Sequence, residues 1–465
     1  MRTSVFFAVL GIIGVFPGLD AFAQPAGGAD PPDGNILLET KSFRYVIGAD
    51  GANQAFVCTA TGEDYCNRQP ATAFARALVE GQWRRAASVN ADGERIAVTF
   101  ADTPATATLA VTAHARHLVL KVVAASDDVE ELQLANVPLT LRGTLEEPFA
   151  ACVLALNMQT NVPGIPGPSN RLMASCVRRF GLAGAEFAVV GCPAGELRDA
   201  LKDAVSASDT LPQSPIGGPW AMDAPINRAS YLFAAPTEEN VEEIIKTVKS
   251  IGFNQVQIHG GRHTYRFGDC KPNPALYPNG VASLKAVIDR LHEEDIYAGM
   301  HPYAFFIDKA TPWVTPVPDP GLASGAVFTL AADLSAEADA VPVLESTEAM
   351  STITGFFVRN SVTLRIGSEL ITYSDLSKEP PYAFTRCTRG ALGTTAAAHA
   401  AGAEVHHLKE CFGLFLPDPD SSLFTEVVEA NARFFNECGF DTLYLDALDG
   451  EDTLVSVHGV QAGGG

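Results

Sequence analysis

The 465-residue chain is short of positive charge: 32 Lys plus Arg stand against 54 Asp plus Glu, a formal net charge of −22. A chain this acidic is repelled by phosphate backbones and by anionic lipid, which sets nucleic-acid binding and peripheral membrane roles aside. After residue 23 no apolar run approaches the roughly 20 residues that span a bilayer, so no membrane anchor is expected. None of the nine cysteines sits in a C-x-x-C, and no Cys/His pattern has zinc-finger spacing. The stretch Gly390–Thr394 lacks the Gly-Lys-Ser/Thr of a phosphate loop and reads as a turn. Neither cofactor nor metal is expected, and neutral small molecules or neutral polymers remain as partners.

What is present is a globular composition, 47% hydrophobic and 18% charged, long enough for several domains. Residues 1–23 read as a signal peptide: Arg2, an apolar run from Val5 to Phe16, the break at Pro17-Gly18, then Ala21-Phe22-Ala23 before Gln24. The expected mature protein is secreted or periplasmic, with 24–35 a disordered lead-in. Cys58 and Cys66, separated by the short polar Thr59–Tyr65 loop, are the pair expected to bridge, and an odd count leaves at least one free thiol.

From Ile36 to about Leu139, within a domain expected over 36–210, the pattern has period two. Phe43–Ile47, Ile96–Phe100, Leu109–Thr112 and His117–Val123 are separated by Asp, Gly and Pro turns, as in an antiparallel β-sandwich. A short amphipathic helix, Glu196 to Val205, closes it, and a Pro/Gly-rich linker covers 211–225. The period then changes. Val241, Ile244, Ile245, Val248 and Ile251 make one helical stripe, and Leu284, Val287, Ile288 and Leu291 a second. Leu423, Val427, Ala430 and Phe434 make a third. Each stripe feeds a strand (Phe253–Ile258, Ile296–Met300, Thr442–Leu445), with a first strand expected at Ile226–Phe233. Helix–turn–strand units of this kind give parallel strands with crossover helices. The expectation is a multidomain β and α/β protein: a β-sandwich, then part of a (β/α)8-type barrel over 226–320 and 411–465. A small β-rich module is inserted at 321–410, with a hairpin turning at Gly367-Ser368.

The three later strands run out at His259, His301 and Asp446, the ends that converge on the active face of such a barrel. With Asn227-Arg228-Ala229-Ser230-Tyr231 and Gly439-Phe440-Asp441-Thr442-Leu443-Tyr444-Leu445-Asp446, this order resembles the α-galactosidase-like glycoside hydrolases of clan D, in the family 36 type of architecture. The resemblance covers about 226–301 and 421–446, and it implies that Asp446 is the nucleophile of a reaction on α-linked glycosides. It departs from the family at three places. Tyr444 stands where a lysine is usual, the second strand ends in Ile258-His259-Gly260-Gly261-Arg262-His263 rather than in acids, and only four barrel strands precede residue 465. No acid/base carboxylate is evident, and a truncated barrel would leave an exposed edge open to oligomerisation.

For each candidate a plainer reading stands beside the functional one. Asp446 is nucleophile or loop cap, and Asp449 is a second carboxylate or a turn stabiliser before Gly450. His259 and His263 have H-x3-H spacing, but across Gly260-Gly261 they share no helix face. They and Arg262 are satisfied loop residues or hydrogen-bond a substrate. His301, Tyr303 and Trp313 bind sugar hydroxyls and ring faces, or pack the inserted module. The expected function is carbohydrate-active and exported. The alternatives are a polysaccharide lyase using His259 or Tyr265 for proton transfer, and a non-catalytic carbohydrate-binding or surface protein.

Overall fold

The computed structural model describes residues 34–144, 146–162, 170–211, 213, 218–219 and 223–453. The expected signal peptide, nearly all of the expected lead-in, most of the expected linker and residues 454–465 lie outside them. The chain divides between Ala221 and Met222 into two compact units, and it is β-rich with few helices. Among the described residues no helix is long and apolar enough to cross a membrane.

In the first unit a three-stranded antiparallel sheet (Ile36–Glu39, Phe43–Ile47, Asn53–Cys58) shares one core with a nine-stranded sheet. Alternation does the sorting: in Arg95–Phe100 the side chains of Ile96, Val98 and Phe100 go in and their neighbours go out. Phe43, Tyr45 and Phe56 of the small sheet meet Leu109, Leu120 and Leu132 of the large one in that core. The helix Leu197–Ser206 lays Ala200 and Ala204 against Ala188, Val190 and Cys192. The expected Cys58–Cys66 bridge is not formed, and none of the nine cysteines is in a disulfide. Cys58 ends its strand and its N–H donates to the Glu63 carbonyl, whereas the backbone of Cys66 is bridged to Leu139, so separate pairings hold the two residues.

The second unit is built on four parallel strands in spatial order Tyr231–Phe233, Gln255–His259, Tyr297–His301, Thr442–Leu443. The helices Val241–Ser250, Val281–His292 and Ser422–Cys438 precede the last three strands. Val248, Leu284, Ile288, Leu291, Phe434 and Cys438 bury the helical stripes on Val256, Ile258, Ala298 and Met300. Gly439 ends the third helix in the left-handed region at φ 80°, a conformation that costs a side-chain-bearing residue and not glycine. Two expected strands are shorter than read, and the fourth covers only Thr442–Leu443. Pro225–Arg228 is a 3-10 turn, started by a proline whose φ suits a helical turn, and only Tyr231–Phe233 is extended.

Between the third and fourth strands lie a four-stranded sheet (Ser324–Thr329, Glu404–Leu408, Thr363–Ile366, Glu369–Thr372) and a three-stranded one (Ala340–Pro342, Ala383–Thr385, Asp375–Ser377). Gly367, at φ 55°, turns the hairpin between Thr363–Ile366 and Glu369–Thr372. This segment is knitted to its surroundings. Its Leu370, Ala391 and Leu408 share a cluster with Ile307, Val314, Phe415, Leu423 and Val427 on the flanking chain.

Candidate functional site

Parallel register makes His259 and His301 neighbours: the two are paired residues at the ends of adjacent strands. Beyond the short fourth strand the ladder continues. The Tyr444 N–H donates to Met300 O at 2.8 Å and the Asp446 N–H to Pro302 O at 3.1 Å, which sets Asp446 beside His301. Gly260 is required at this point, since a Cβ there would lie 2.5 Å from the Phe267 ring.

His301 donates from Nε2 to Asp446 Oδ2 at 3.0 Å, and the Ala447 N–H donates to Oδ1 at 2.8 Å. Ala447 sits at φ 62°, in the left-handed region an alanine seldom adopts. Burial pushes the Asp446 carboxyl up, but the Ala447 N–H and the His301 ring outweigh it, so its pKa lies below the ordinary aspartate value. Asp446 is therefore ionised at neutral pH and accepts only, and His301 must carry its proton on Nε2. Burial, the larger influence, lowers the His301 pKa against the pull of Asp446, so the ring is neutral. Its other nitrogen, Nδ1, is buried with no hydrogen-bond partner. The exposures are unequal, with the His301 side chain 5% and the Asp446 side chain 43% accessible. The pair is a carboxylate presented to solvent on a buried imidazole.

His259 stands against His301 with ring centroids 4.5 Å apart, and its Nδ1 lies 2.5 Å from Gly260 O. A carbonyl only accepts, so Nδ1 carries a proton, and the neutral tautomer this selects has its lone pair on Nε2. His259, His301 and Asp446 each bring one ligand-type atom within 4.8 Å of the others. Aromatic rings wall the cluster. Phe233 lies 5.3 Å and Tyr444 4.3 Å from the His301 ring. Tyr303 lies 5.4 Å from His259 and stacks on Phe267 at 4.4 Å. Burial, and after it the charges of Asp446 and Asp449, raise the Tyr303 pKa, so its hydroxyl keeps its proton and can donate.

The other expected residues lie differently. Arg262 is tied bidentately to the buried Asp308, Nε at 2.8 Å and Nη2 at 3.0 Å, and so fastens the loop after the second strand. His263 is exposed on that loop, with its carbonyl bonded to Asn273. Trp313 packs on the cluster containing Ile307, Val314 and Leu423 and donates to Glu426 at 3.1 Å. Asp449 lies near enough to Tyr303 to influence its pKa, and its carbonyl accepts from Arg359 at 2.8 Å. Tyr265, considered for proton transfer, is buried. Its hydroxyl donates to Ile258 O and accepts from the His301 N–H, and burial drives its pKa well above 10, so the lyase reading loses that residue. Sequence reasoning missed Phe233, Phe267, Tyr444 and Phe412. Tyr444 was within reach, because residues 444 and 446 fall on the same side of an extended chain. Phe412, 5.7 Å from Tyr303, returns from the far end of the inserted segment and gives no local signal.

No protein-family model and no curated protein matches this sequence. Among solved structures it is similar to an α-galactosidase from Lactobacillus brevis (8% identity, TM-score 0.41, covering 88% of this chain and 63% of that one). It is also similar to an α-N-acetylgalactosaminidase from Bifidobacterium bifidum (11% identity, TM-score 0.39, 64% and 63%). A third is a family 36 α-galactosidase from Geobacillus stearothermophilus (10% identity, TM-score 0.34, 63% and 59%). The chain spans about three fifths of the length of these structures. The chemistry of the site rests on its own geometry.

Proposed function

We propose that the chain is an exported carbohydrate-active protein, a β-sandwich followed by a (β/α)8-type barrel segment, whose site is the strand-end cluster centred on Asp446. One observation carries this reading: an ionised, half-exposed carboxylate is fixed on a buried neutral imidazole inside an aromatic wall. The ring faces of Tyr444 and Tyr303 suit the apolar faces of a sugar, and the Tyr303 hydroxyl and His259 Nε2 suit its hydroxyls. In the reaction the Asp446 oxygen attacks the anomeric carbon, and the glycosidic C–O bond breaks with its electron pair leaving on the aglycone oxygen.

An unactivated leaving group needs a proton from an acid, and the carboxyls of Asp308 and Asp319 are engaged. Both oxygens of Asp308 are held by Arg262, and Asp319 accepts the Gly321 N–H at 2.7 Å. Asp449 is the remaining candidate. This supports a second reading in which natural glycosides are bound and not cleaved. A panel of aryl α-glycosides, with p-nitrophenyl and 2,4-dinitrophenyl aglycones, assayed on the chain and on Asp446→Asn distinguishes them. A displacement by Asp446 gives turnover of the activated dinitrophenyl compound at least, lost in the variant while sugar binding is kept. A binder releases no phenol from either protein, and turnover that survives Asp446→Asn removes Asp446 from the chemistry.

A further inference from the structure

We propose that His259, His301 and Asp446 form a binding site for one divalent first-row transition ion of the Zn2+ class. Two imidazoles and one carboxylate, borne by three adjacent parallel strands, are the donor set of three-ligand zinc sites. Such sites leave a fourth position to water or substrate. Tetrahedral ligands bound at about 2.0–2.1 Å are about 3.4 Å apart, so a set already within 4.8 Å must close by up to about 1.4 Å, within reach of side-chain rotation.

A second, independent observation is the setting of the histidines. The Gly260 carbonyl holds the proton of His259 on Nδ1 and leaves Nε2 as a lone pair, the arrangement in which an outer hydrogen bond orients a metal-ligating imidazole. His301 meets Asp446 through Nε2, so an ion entering between them replaces the Nε2 proton, which moves to the otherwise uncommitted Nδ1. The mixed nitrogen and oxygen donors favour Zn2+ and Co2+ over Mg2+ and Ca2+, which take oxygen ligands. His263, despite its spacing from His259, contributes nothing, because it faces outward on the loop fastened by Arg262.

The site goes beyond the glycosidic reading and does not depend on it. An ion ligated by Asp446 takes the oxygen lone pair that displacement would use, so the ion is an inhibitor if that reading holds and remains a ligand if it fails.

The test is metal uptake by the untagged full chain. Co2+ is titrated and read by its visible d–d absorption, then displaced by Zn2+, with bound metal counted by elemental analysis after gel filtration. One ion per chain with a tetrahedral-type cobalt spectrum is expected. His259→Ala and Asp446→Asn should each weaken binding more than about 100-fold, beyond the 10–100-fold typical of an outer-shell partner, while His263→Ala leaves it unchanged. His259 is half-buried and its replacement tests the site without emptying the core, as His301→Ala would. Absence of one-to-one uptake overturns the proposal. So does uptake that persists in both His259→Ala and Asp446→Asn, which would place the ion at other histidines or at the thiols.

Discussion

Two of the carboxylate–histidine contacts in the second unit, those of Glu369 and Asp446, are built to opposite ends. Glu369 is fully buried and all its capacity is used. Arg389 donates to it twice at 2.8 Å, His399 at 2.7 Å, and the N–H groups of Gly390 and Ala397 at 2.9 and 3.1 Å. Asp446 has two donors, one of them a histidine with an unpartnered nitrogen, and nearly half of its side chain faces solvent. A closed network of this kind fixes the inserted sheets, because removing one member strands buried charge. An open one keeps a carboxylate charged, oriented and reachable. The same pair of residue types is scaffold in one place and candidate chemistry in the other, and satisfaction of hydrogen bonds separates them.

Removing the two carboxylates should therefore give opposite phenotypes. Asp446→Asn is expected to lower release of dinitrophenol from an activated aryl α-glycoside by at least about 10³-fold, roughly 4 kcal/mol of barrier, with the unfolding midpoint hardly moved. Glu369→Ala, which leaves Arg389 without its partner in the interior, should cost about 3–5 kcal/mol in urea unfolding of the second unit. If Asp446→Asn proves the more destabilising of the two, the distinction drawn here is wrong.

Acid titration sharpens the contrast. Burial alone would raise the Glu369 pKa, but Arg389, His399 and the two N–H groups outweigh it and bring it down to about 2. A carboxyl with a depressed folded-state pKa adds stability that is complete above its unfolded value and lost as pH falls toward the folded one. Glu369 should thus contribute about 3 kcal/mol above pH about 4.5, declining toward pH about 2, and Glu369→Gln should remove that slope. At the open cluster the acid limb of activity should fall below the ordinary aspartate pKa of about 3.9, since Asp446 is depressed in the same direction. The smallest effect is expected at the wall. Tyr444→Ala removes a ring 4.3 Å from His301 and should weaken sugar binding about tenfold, measured by calorimetry, with little change in stability.

How much of this could be read in the sequence follows from which forces are local. The change from period two to helical stripes marked the passage between the units, and the helix-to-strand spacing brought His259, His301 and Asp446 to the strand ends. Spacing cannot tell which end residues meet. His263 shares the H-x3-H pattern and points away, whereas His301, 42 positions from His259, is its paired neighbour. Glu369 looked like an ordinary polar residue opening a hairpin strand, because Arg389 and His399 reach it only after two further strands have folded. Phe412 and Arg359 were equally hidden, brought beside Tyr303 and Asp449 by the return of the inserted segment. The Cys58–Cys66 expectation failed for the converse reason: short separation suggested a contact, but backbone pairing with Glu63 and Leu139 governs that loop.

The most direct test of the central claim is to trap the reacting carboxylate. A 2,4-dinitrophenyl α-glycoside carries a leaving group that departs without a proton, so Asp446 should take up the sugar even where no acid assists. The protein is incubated with it, quenched and digested, and the peptide holding Asp446 is sequenced by mass spectrometry. The account predicts one glycosyl ester per chain, on Asp446, with a matching burst of dinitrophenol and no ester in Asp446→Asn. Dinitrophenol release with Asp446 unmodified, or an ester on another carboxyl that persists in Asp446→Asn, would contradict it.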